Sequence, residues 1–327
     1  MNDPLQWVAP ELRPGLQLFL AGPAFQPPGS VEELQQLRAN GRQVPPPSPD
    51  IPLKARRIQG PKGAPQLTVW LVNAGAPGAR PGILHMHGGG YVLGSAENNL
   101  SLLQPLAREL DCVIVSVEYR LAPETQASGS VEDNYAALKW LHANAAELGV
   151  DPGRIAVMGE SAGGGHAALL AQTARARGEV PVLLQVLMSP MLDDRTGSSR
   201  PVPDHIGQLV WTREWNRYGW GALLGVEPGG TAVPAAAVPA RTENLAGLPP
   251  AFIAIGGIDL FVEEAMDYAR RLTAAGVATA LLVIPGAYHG FDFIAADTGL
   301  ARSYNGARTA ALRRAFENGV GADPSTP

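Results

Sequence analysis

Three groups of residues in this chain are suited to chemistry at a carbonyl carbon. ILHMHGGGYVLG (residues 83–94) leaves an apolar run, places His87 and then uses three consecutive glycines. Glycine loses more conformational freedom on folding than any other residue, so such a run needs positive φ, close approach of backbone to a bound group, or looseness. RIAVMGESAGGGHAALLAQTARA (154–176) sets Ser161 between Gly159 and Gly163, where an apolar run changes to a helical pattern. A Gly-x-Ser-x-Gly turn between strand and helix exposes the serine hydroxyl and leaves no room for side chains on its flanks. Farther along, Asp259 follows the run AFIAIG (251–256) and His289 follows ALLVIP (280–285).

Spacing argues against phosphate binding. A dinucleotide fingerprint starting at Gly88 meets Gly90 and then Leu93, and a P-loop starting at Gly89 meets Ser95 where its lysine must stand. Nucleophilic catalysis accounts for the residues better. A serine hydroxyl needs an adjacent base, and in this kind of fold the partners follow in the order Ser, acid, His. That order removes His85, His87 and His142. His166 lies five residues along the helix from Ser161, rotated about 140°, and suits helix packing. His205 and His289 remain. His289 is preferred because it ends a strand at the sheet edge where sites in open α/β sheets assemble. Asp259 is the matching acid, able to orient the imidazole and stabilise its charged form, although an Asp there could also simply cap the next helix. Glu263, Glu264 and Asp267 fall within that helix and are expected to be solvated. The tetrahedral oxyanion needs donors aimed at it, assigned here to the backbone N–H groups of Gly88, Gly89 and Ala162.

Positioning these residues requires an α/β framework. LTVWLV (67–72), GILHMH (82–87), CVIVSVE (112–118), RIAVMG (154–159), VLLQVLMS (182–189), AFIAIG (251–256) and ALLVIP (280–285) alternate with helical patterns at 97–109, 131–148, 162–177, 261–275 and 300–318. The runs are continuously apolar, as expected of strands covered on both faces, which predicts a mainly parallel sheet between helices. Residues 193–244 interrupt the alternation. With the N-terminal 1–55, which holds a Ser30/Glu33 capping-box spacing and ends near a proline-rich connector, they are expected to form a cap. The catalytic core is then 56–192 and 245–327. A net charge of −5 offers no basic footprint for nucleic acid. No apolar run is long enough to span a membrane. A single cysteine, Cys112, and an N-terminus unlike a signal peptide lead to the expectation of a cytoplasmic protein.

The ordered set HGGGY (87–91), EYRLAPE (118–124), GESAGG (159–164), IDLF (258–261) and HGF (289–291) resembles the bacterial hormone-sensitive-lipase family of carboxylesterases. The resemblance covers most of residues 65–315 and reaches WTREWNRYGW (211–220). It implies an α/β-hydrolase fold with a helical cap, short- to medium-chain ester substrates, no cofactor and no metal, and members of the family are often dimers. It carries the catalytic roles to Ser161, Asp259 and His289 and the oxyanion roles to Gly88, Gly89 and Ala162. Two segments depart from the pattern. TQASGS (125–130) is smaller and more flexible than the aromatic and prolines usual there, and GALLG (221–225) replaces larger residues, which loosens the expected cap. Glu160 replaces the more frequent Asp and is given no catalytic role.

Trp211, Trp215 and Tyr218 fall at i, i+4 and i+7 on one helix face, a spacing that serves core or pocket alike. Tyr91, Trp215, Leu260 and Phe291 are the substrate-binding candidates. Lactonase, thioesterase or amidase chemistry would use the same triad. A catalytically silent binding protein, as in the related plant gibberellin receptors that have lost the histidine, is disfavoured by His289.

Overall fold

Strands form where the sequence offers apolar side chains to both faces of a sheet. The computed structural model of the chain describes residues 3–319, except 24, 41–43 and 77. Its strands are β1 (Leu53–Ile58), β2 (Leu67–Val72), β3 (Arg80–Met86), β4 (Val113–Glu118), β5 (Val150–Glu160), β6 (Gln185–Met188), β7 (Ala251–Gly256) and β8 (Thr279–Ile284). The helices are α1 (Arg13–Leu20), α2 (Val31–Ala39), α3 (Leu100–Glu109), α4 (Ala127–Ala143), α5 (Ala145–Leu148), α6 (Ala162–Arg177), α7 (Arg213–Leu224), α8 (Val262–Ala274), α9 (Phe291–Ile294) and α10 (Gly299–Asn318).

Among the described residues the strands make one eight-stranded sheet in the order β1-β2-β4-β3-β5-β6-β7-β8. β2 runs antiparallel to β1 and β4, and the remaining neighbours are parallel. Successive side chains on each strand point to opposite faces. Leu84, Val115, Val157 and Ile253 enter one core with residues of α4, α6 and α8, while Ile83, Ile114, Ala156 and Phe252 enter another with α1, α3 and α10. Covering both faces is what makes the runs continuously apolar.

β1 carries Lys54, Arg56 and Arg57 and lies at the sheet edge, where charge discourages pairing with other chains. The charges hid it from a reading based on apolar runs, and it straddles the boundary expected at residue 55. Residues 127–130, expected in a flexible loop, are the first turn of α4. Gly129 suits that turn, because a Cβ there would collide with the Thr125 side chain. The capping box is displaced by one residue. The Ser30 hydroxyl accepts from the Glu33 N–H at 3.1 Å, but the Glu33 carboxylate accepts from Gly29, not from Ser30. Residues 221–224 continue α7 without a break, and Gly225 ends it in a left-handed conformation.

The N-terminal segment is bound into the fold. Leu12 and Leu16 enter one core and Leu34 the other. Arg38 on α2 donates to the Val92 and Ala122 carbonyls and pairs with Glu124 through both guanidinium arms. One arginine thereby fastens α2 to the end of the glycine loop and to the EYRLAPE turn.

Glu118 closes β4, and its carboxylate accepts from the Ala96 N–H at 2.9 Å. Burial pushes this carboxyl up to about 7 despite that bond. The folded chain therefore holds a proton that the unfolded chain has already lost, so the group's contribution to stability falls as pH rises from the ordinary carboxyl range to about 7. Glu118→Gln, whose amide oxygen can keep the Ala96 bond, is expected to raise Tm over wild type by about 2–4 °C at pH 8. The gain should shrink toward zero at pH 4. A Tm difference that does not vary with pH would contradict this assignment.

Candidate active site

Ser161 is the single residue between β5 and α6, with φ 55° and ψ −119°. That backbone is uncommon for a residue with a side chain, and it is reached because the chain must reverse from strand to helix without a loop. The flanking glycines are sterically required. A Cβ on Gly159 would overlap the Gly163 carbonyl, and one on Gly163 would overlap the Met86 carbonyl at the end of β3.

His289 and Asp259 reach the same point from the ends of β8 and β7. The Ser161 hydroxyl lies 3.0 Å from His289 Nε2, and His289 Nδ1 lies 2.7 Å from Asp259 Oδ2. A carboxylate can only accept, so Nδ1 carries the proton and Nε2 is left to accept from the serine. Asp259 Oδ1 accepts from the Phe261 N–H at 3.0 Å. The two roles considered for Asp259 are thus shared between its oxygens, one facing the histidine and one the chain leading into α8. Asp259 is 1% exposed and His289 8%. The Phe261 ring meets the imidazole edge to face at 5.2 Å.

The glycine loop packs directly on the nucleophile. A Cβ on Gly88 would come within 3.4 Å of the Ser161 Cβ. Gly89 has φ 125° and closes a turn with its carbonyl accepting from the Val92 and Leu93 N–H groups. Two side-chain bonds fix the preceding peptide planes. The Tyr119 hydroxyl donates to the His87 carbonyl at 2.7 Å, and the His87 ring nitrogen Nδ1 lies 2.7 Å from the Gly88 carbonyl. In a trans peptide the N–H points opposite to the C=O, so these bonds turn the N–H groups of Gly88 and Gly89 away from Tyr119 and His87. His87 is stacked on Tyr119 at 4.2 Å, and burial lowers it to about 4, so it is neutral at pH 7. Ala162 is the first residue of α6, and its N–H has no partner within the helix.

Behind the nucleophile, Glu160 Oε2 lies 2.8 Å from His85 Nε2, and His85 Nδ1 lies 2.8 Å from the Ser116 hydroxyl. This chain of bonds crosses β5, β3 and β4. Burial alone would raise the Glu160 carboxyl, but the facing His85 outweighs it and holds the group below the usual carboxylate range. His166 is wedged between the Tyr91 and Tyr119 rings, a packing position, and burial lowers it to about 3. Among the described residues no group of three or more His, Cys, Asp or Glu is placed to hold a metal ion.

The four substrate-binding candidates are buried side chains with 0–1% exposure. Tyr91 has φ 68°, which turns its ring inward against His166 and Trp220, and its hydroxyl donates to the Met191 carbonyl at 2.9 Å. Trp215 stacks on Phe25 at 4.4 Å and donates to the Phe25 carbonyl. Leu260 is covered by Gly207, and Phe291 packs on Tyr304. Their neighbours in sequence do reach the site, but adjacent residues in a strand exit or turn point in different directions.

Trp211 lies nearer the chemistry. Its ring fills the space a Cβ on Gly90 would need, and its centre is 6.2 Å from the His289 ring. It precedes α7, whose cap is Thr212, so the helical stripe reading misplaced it. Glu264, expected in solvent, is 1% exposed and accepts from the Leu192 N–H at 2.7 Å and from the Thr196 hydroxyl. A signal was available: Glu264, Tyr268 and Leu272 recur at i, i+4 and i+8, the buried face of α8.

Residues 83–293 match a family described as having the alpha/beta hydrolase fold. Among curated proteins, esterase LipI of Mycobacterium tuberculosis is 34% identical over 79% of this chain and 79% of its own. Carboxylesterase NlhH of the same organism is 37% identical over 72% of this chain and 74% of its own. A solved bacterial heroin esterase superposes with a TM-score of 0.85 at 34% identity, covering 96% of this chain and 99% of its own. Esterase LipW of Mycobacterium marinum superposes with a TM-score of 0.81 at 30% identity, covering 95% and 97%. The chain therefore belongs to the α/β-hydrolase family, in its hormone-sensitive-lipase-like branch of carboxylic ester hydrolases.

Proposed function

We propose that this carboxylic ester hydrolase cleaves short- to medium-chain acyl esters through a Ser161–His289–Asp259 triad and an acyl-enzyme. The observation that carries this reading is the unbroken pair of contacts, 3.0 Å from serine to imidazole and 2.7 Å from imidazole to carboxylate. Ser161 attacks the ester carbonyl while His289 takes its proton, and Asp259 stabilises the resulting imidazolium. The N–H groups of Gly88, Gly89 and Ala162 receive the oxyanion. The intermediate collapses, the C–O bond breaks, and the alcohol leaves with the proton from His289. Water then gives a proton to His289 as it attacks the acyl carbon; in a second collapse the bond from the acyl carbon to Ser161 Oγ breaks, His289 returns the proton to that oxygen, and the acid leaves. No step in this sequence calls on a cofactor.

The chain before β1 and residues 193–244 serve in this reading as a cap, joined by the Phe25–Trp215 stack, with Trp211 reaching down to the triad. Trp211 bounds the acyl cleft on the side of the glycine loop. Among the described residues no helix is long and apolar enough to cross a membrane, and the cysteine Cys112 is free and buried. We read the protein as a cytoplasmic enzyme acting on small esters, and its net charge of −5 offers no basic footprint for nucleic acid.

Hydrolysis of p-nitrophenyl esters from acetate to palmitate tests the reaction. Activity should peak at short to medium chains. Ser161→Ala should reduce kcat by about 10⁴-fold or more, and Asp259→Asn, which disturbs the imidazole tautomer, by about 10³–10⁴-fold. A Ser161→Ala variant as active as wild type would remove the triad from the mechanism. Trp211→Ala should shift the preferred acyl chain toward longer esters by two or more carbons. An unchanged chain profile would mean that Trp211 does not bound the cleft.

A further inference from the structure

The segment leaving β6 holds the nucleophile, and a buried acid holds that segment. Met188 at the end of β6 accepts the Ser161 N–H at 2.9 Å, and the Met191 N–H donates to the Ser161 carbonyl at 3.0 Å. The Met191 carbonyl in turn accepts the Tyr91 hydroxyl at 2.9 Å. The Ser189 N–H donates to Ala254 on β7, the strand that leads to Asp259. Residues 188–192 therefore touch the nucleophile, the far end of the glycine loop and the strand behind the acid.

Past Met191 this strap is fastened by Glu264. Its Oε1 takes the Leu192 N–H and its Oε2 the Thr196 hydroxyl, so both oxygens are engaged on one stretch of chain. α8, which carries Glu264, begins three residues after Asp259. Resting on the triad reading above, we propose that Glu264 is a positioning residue for ester hydrolysis. Through Leu192 and Thr196 it fixes the strap that holds Ser161 in its left-handed conformation, and it locks the strap to the helix that follows Asp259.

Burying a polar group without partners is costly, so an acid at 1% exposure is retained there only if its bonds matter to the surrounding chain. Burial, reinforced by the neighbouring Asp193 carboxylate, pushes the Glu264 carboxyl well above its ordinary range. Asp193 itself is held by Arg195 and Arg200. An amide has the shape of the carboxyl group and keeps one acceptor oxygen. Glutamine can still accept the Leu192 N–H and can donate to Thr196, whereas alanine leaves the Leu192 N–H buried and unpaired. The strap would then be free to relax, carrying the Ser161 carbonyl with it. Displacements of about 1 Å at a nucleophile cost on the order of 100-fold in rate.

The test compares Glu264→Ala, Glu264→Gln and Thr196→Val with wild type on p-nitrophenyl butyrate. A fluorophosphonate that labels the nucleophilic serine counts working sites, so that kcat is expressed per labelled serine. Glu264→Ala should lower kcat per labelled serine by about 30–100-fold with KM within threefold of wild type. Glu264→Gln should stay within about threefold of wild type in both. Thr196→Val removes one bond to Glu264 with little change of volume, and should lower kcat by about 3–10-fold with KM unchanged. It decides the matter should Glu264→Ala fail to fold. The proposal is overturned if the variants lose labelled sites while kcat per site stays at the wild-type value, since that is a fold-stability role alone. It is overturned equally if Glu264→Gln falls as far as Glu264→Ala. A wild-type enzyme that takes no label at Ser161 would instead bring down the triad reading, so the two failures are distinct.

Discussion

Ser161 must hold a backbone conformation that costs a residue with a side chain on the order of 1–3 kcal/mol, and most of the surrounding architecture follows from that demand. The conformation lets a strand become a helix in one residue and lifts the hydroxyl clear of both. It persists only where neighbours outvote it. The Ser161 N–H is taken by Met188, and its carbonyl receives the N–H groups of Gly165 and Met191. The helix supplies one of those bonds, the last residue of β6 another and the chain beyond it the third. Gly159, Gly163 and Gly88 matter for the same reason, since each lets another backbone come close enough to brace the turn. The site is thus a place where four chain segments converge at backbone distance, and its glycines mark the convergence.

The same economy governs the oxyanion side. Three glycines in a row would be loose if nothing held them, and their entropy would be spent at every catalytic cycle. Tyr119 and His87 hold two consecutive carbonyls and thereby aim two consecutive N–H groups. A carbonyl can only accept, so the His87 ring carries its proton on Nδ1, the nitrogen that faces Gly88. Burial pushes this histidine down to about 4, so the ring is neutral at pH 7. In the proposed mechanism these donors are in place before substrate arrives, which is the condition under which such donors contribute most to rate.

Much of this arrangement is legible in the sequence because it is local. The elbow, the glycine loop and the strand exits bearing Asp259 and His289 each declare themselves within a few residues, and chain order then pairs them. What escaped depends on tertiary contact. β1 is a strand because β2 offers an open edge, not because Lys54, Arg56 and Arg57 favour one. Residues 127–130 form the first turn of α4 despite the apparent looseness of TQASGS, and only glycine fits at 129, where a Cβ would meet the Thr125 side chain. Tyr91, Leu260 and Phe291 sit beside site residues in sequence yet point elsewhere, since a turn sends neighbouring side chains in different directions. Glu264 shows the limit most clearly. Its charge suggests solvent, its helical position indicates burial, and only the partner chain at Leu192 and Thr196 explains why burial wins.

Solvent exclusion links these parts to the chemistry. Trp211 over Gly90 and Phe261 against the imidazole leave His289 with little exposed surface and Asp259 with almost none. In such surroundings the effective dielectric falls, so the attraction between Asp259 and an imidazolium on His289 strengthens when the proton moves from Ser161. The same surroundings would penalise an unpaired charge, which is why Asp259 has a partner for each oxygen. An aromatic cover therefore does more than shape a cleft. In the proposed mechanism it makes the charges of Asp259 and His289 act on one another instead of on water as the oxyanion forms.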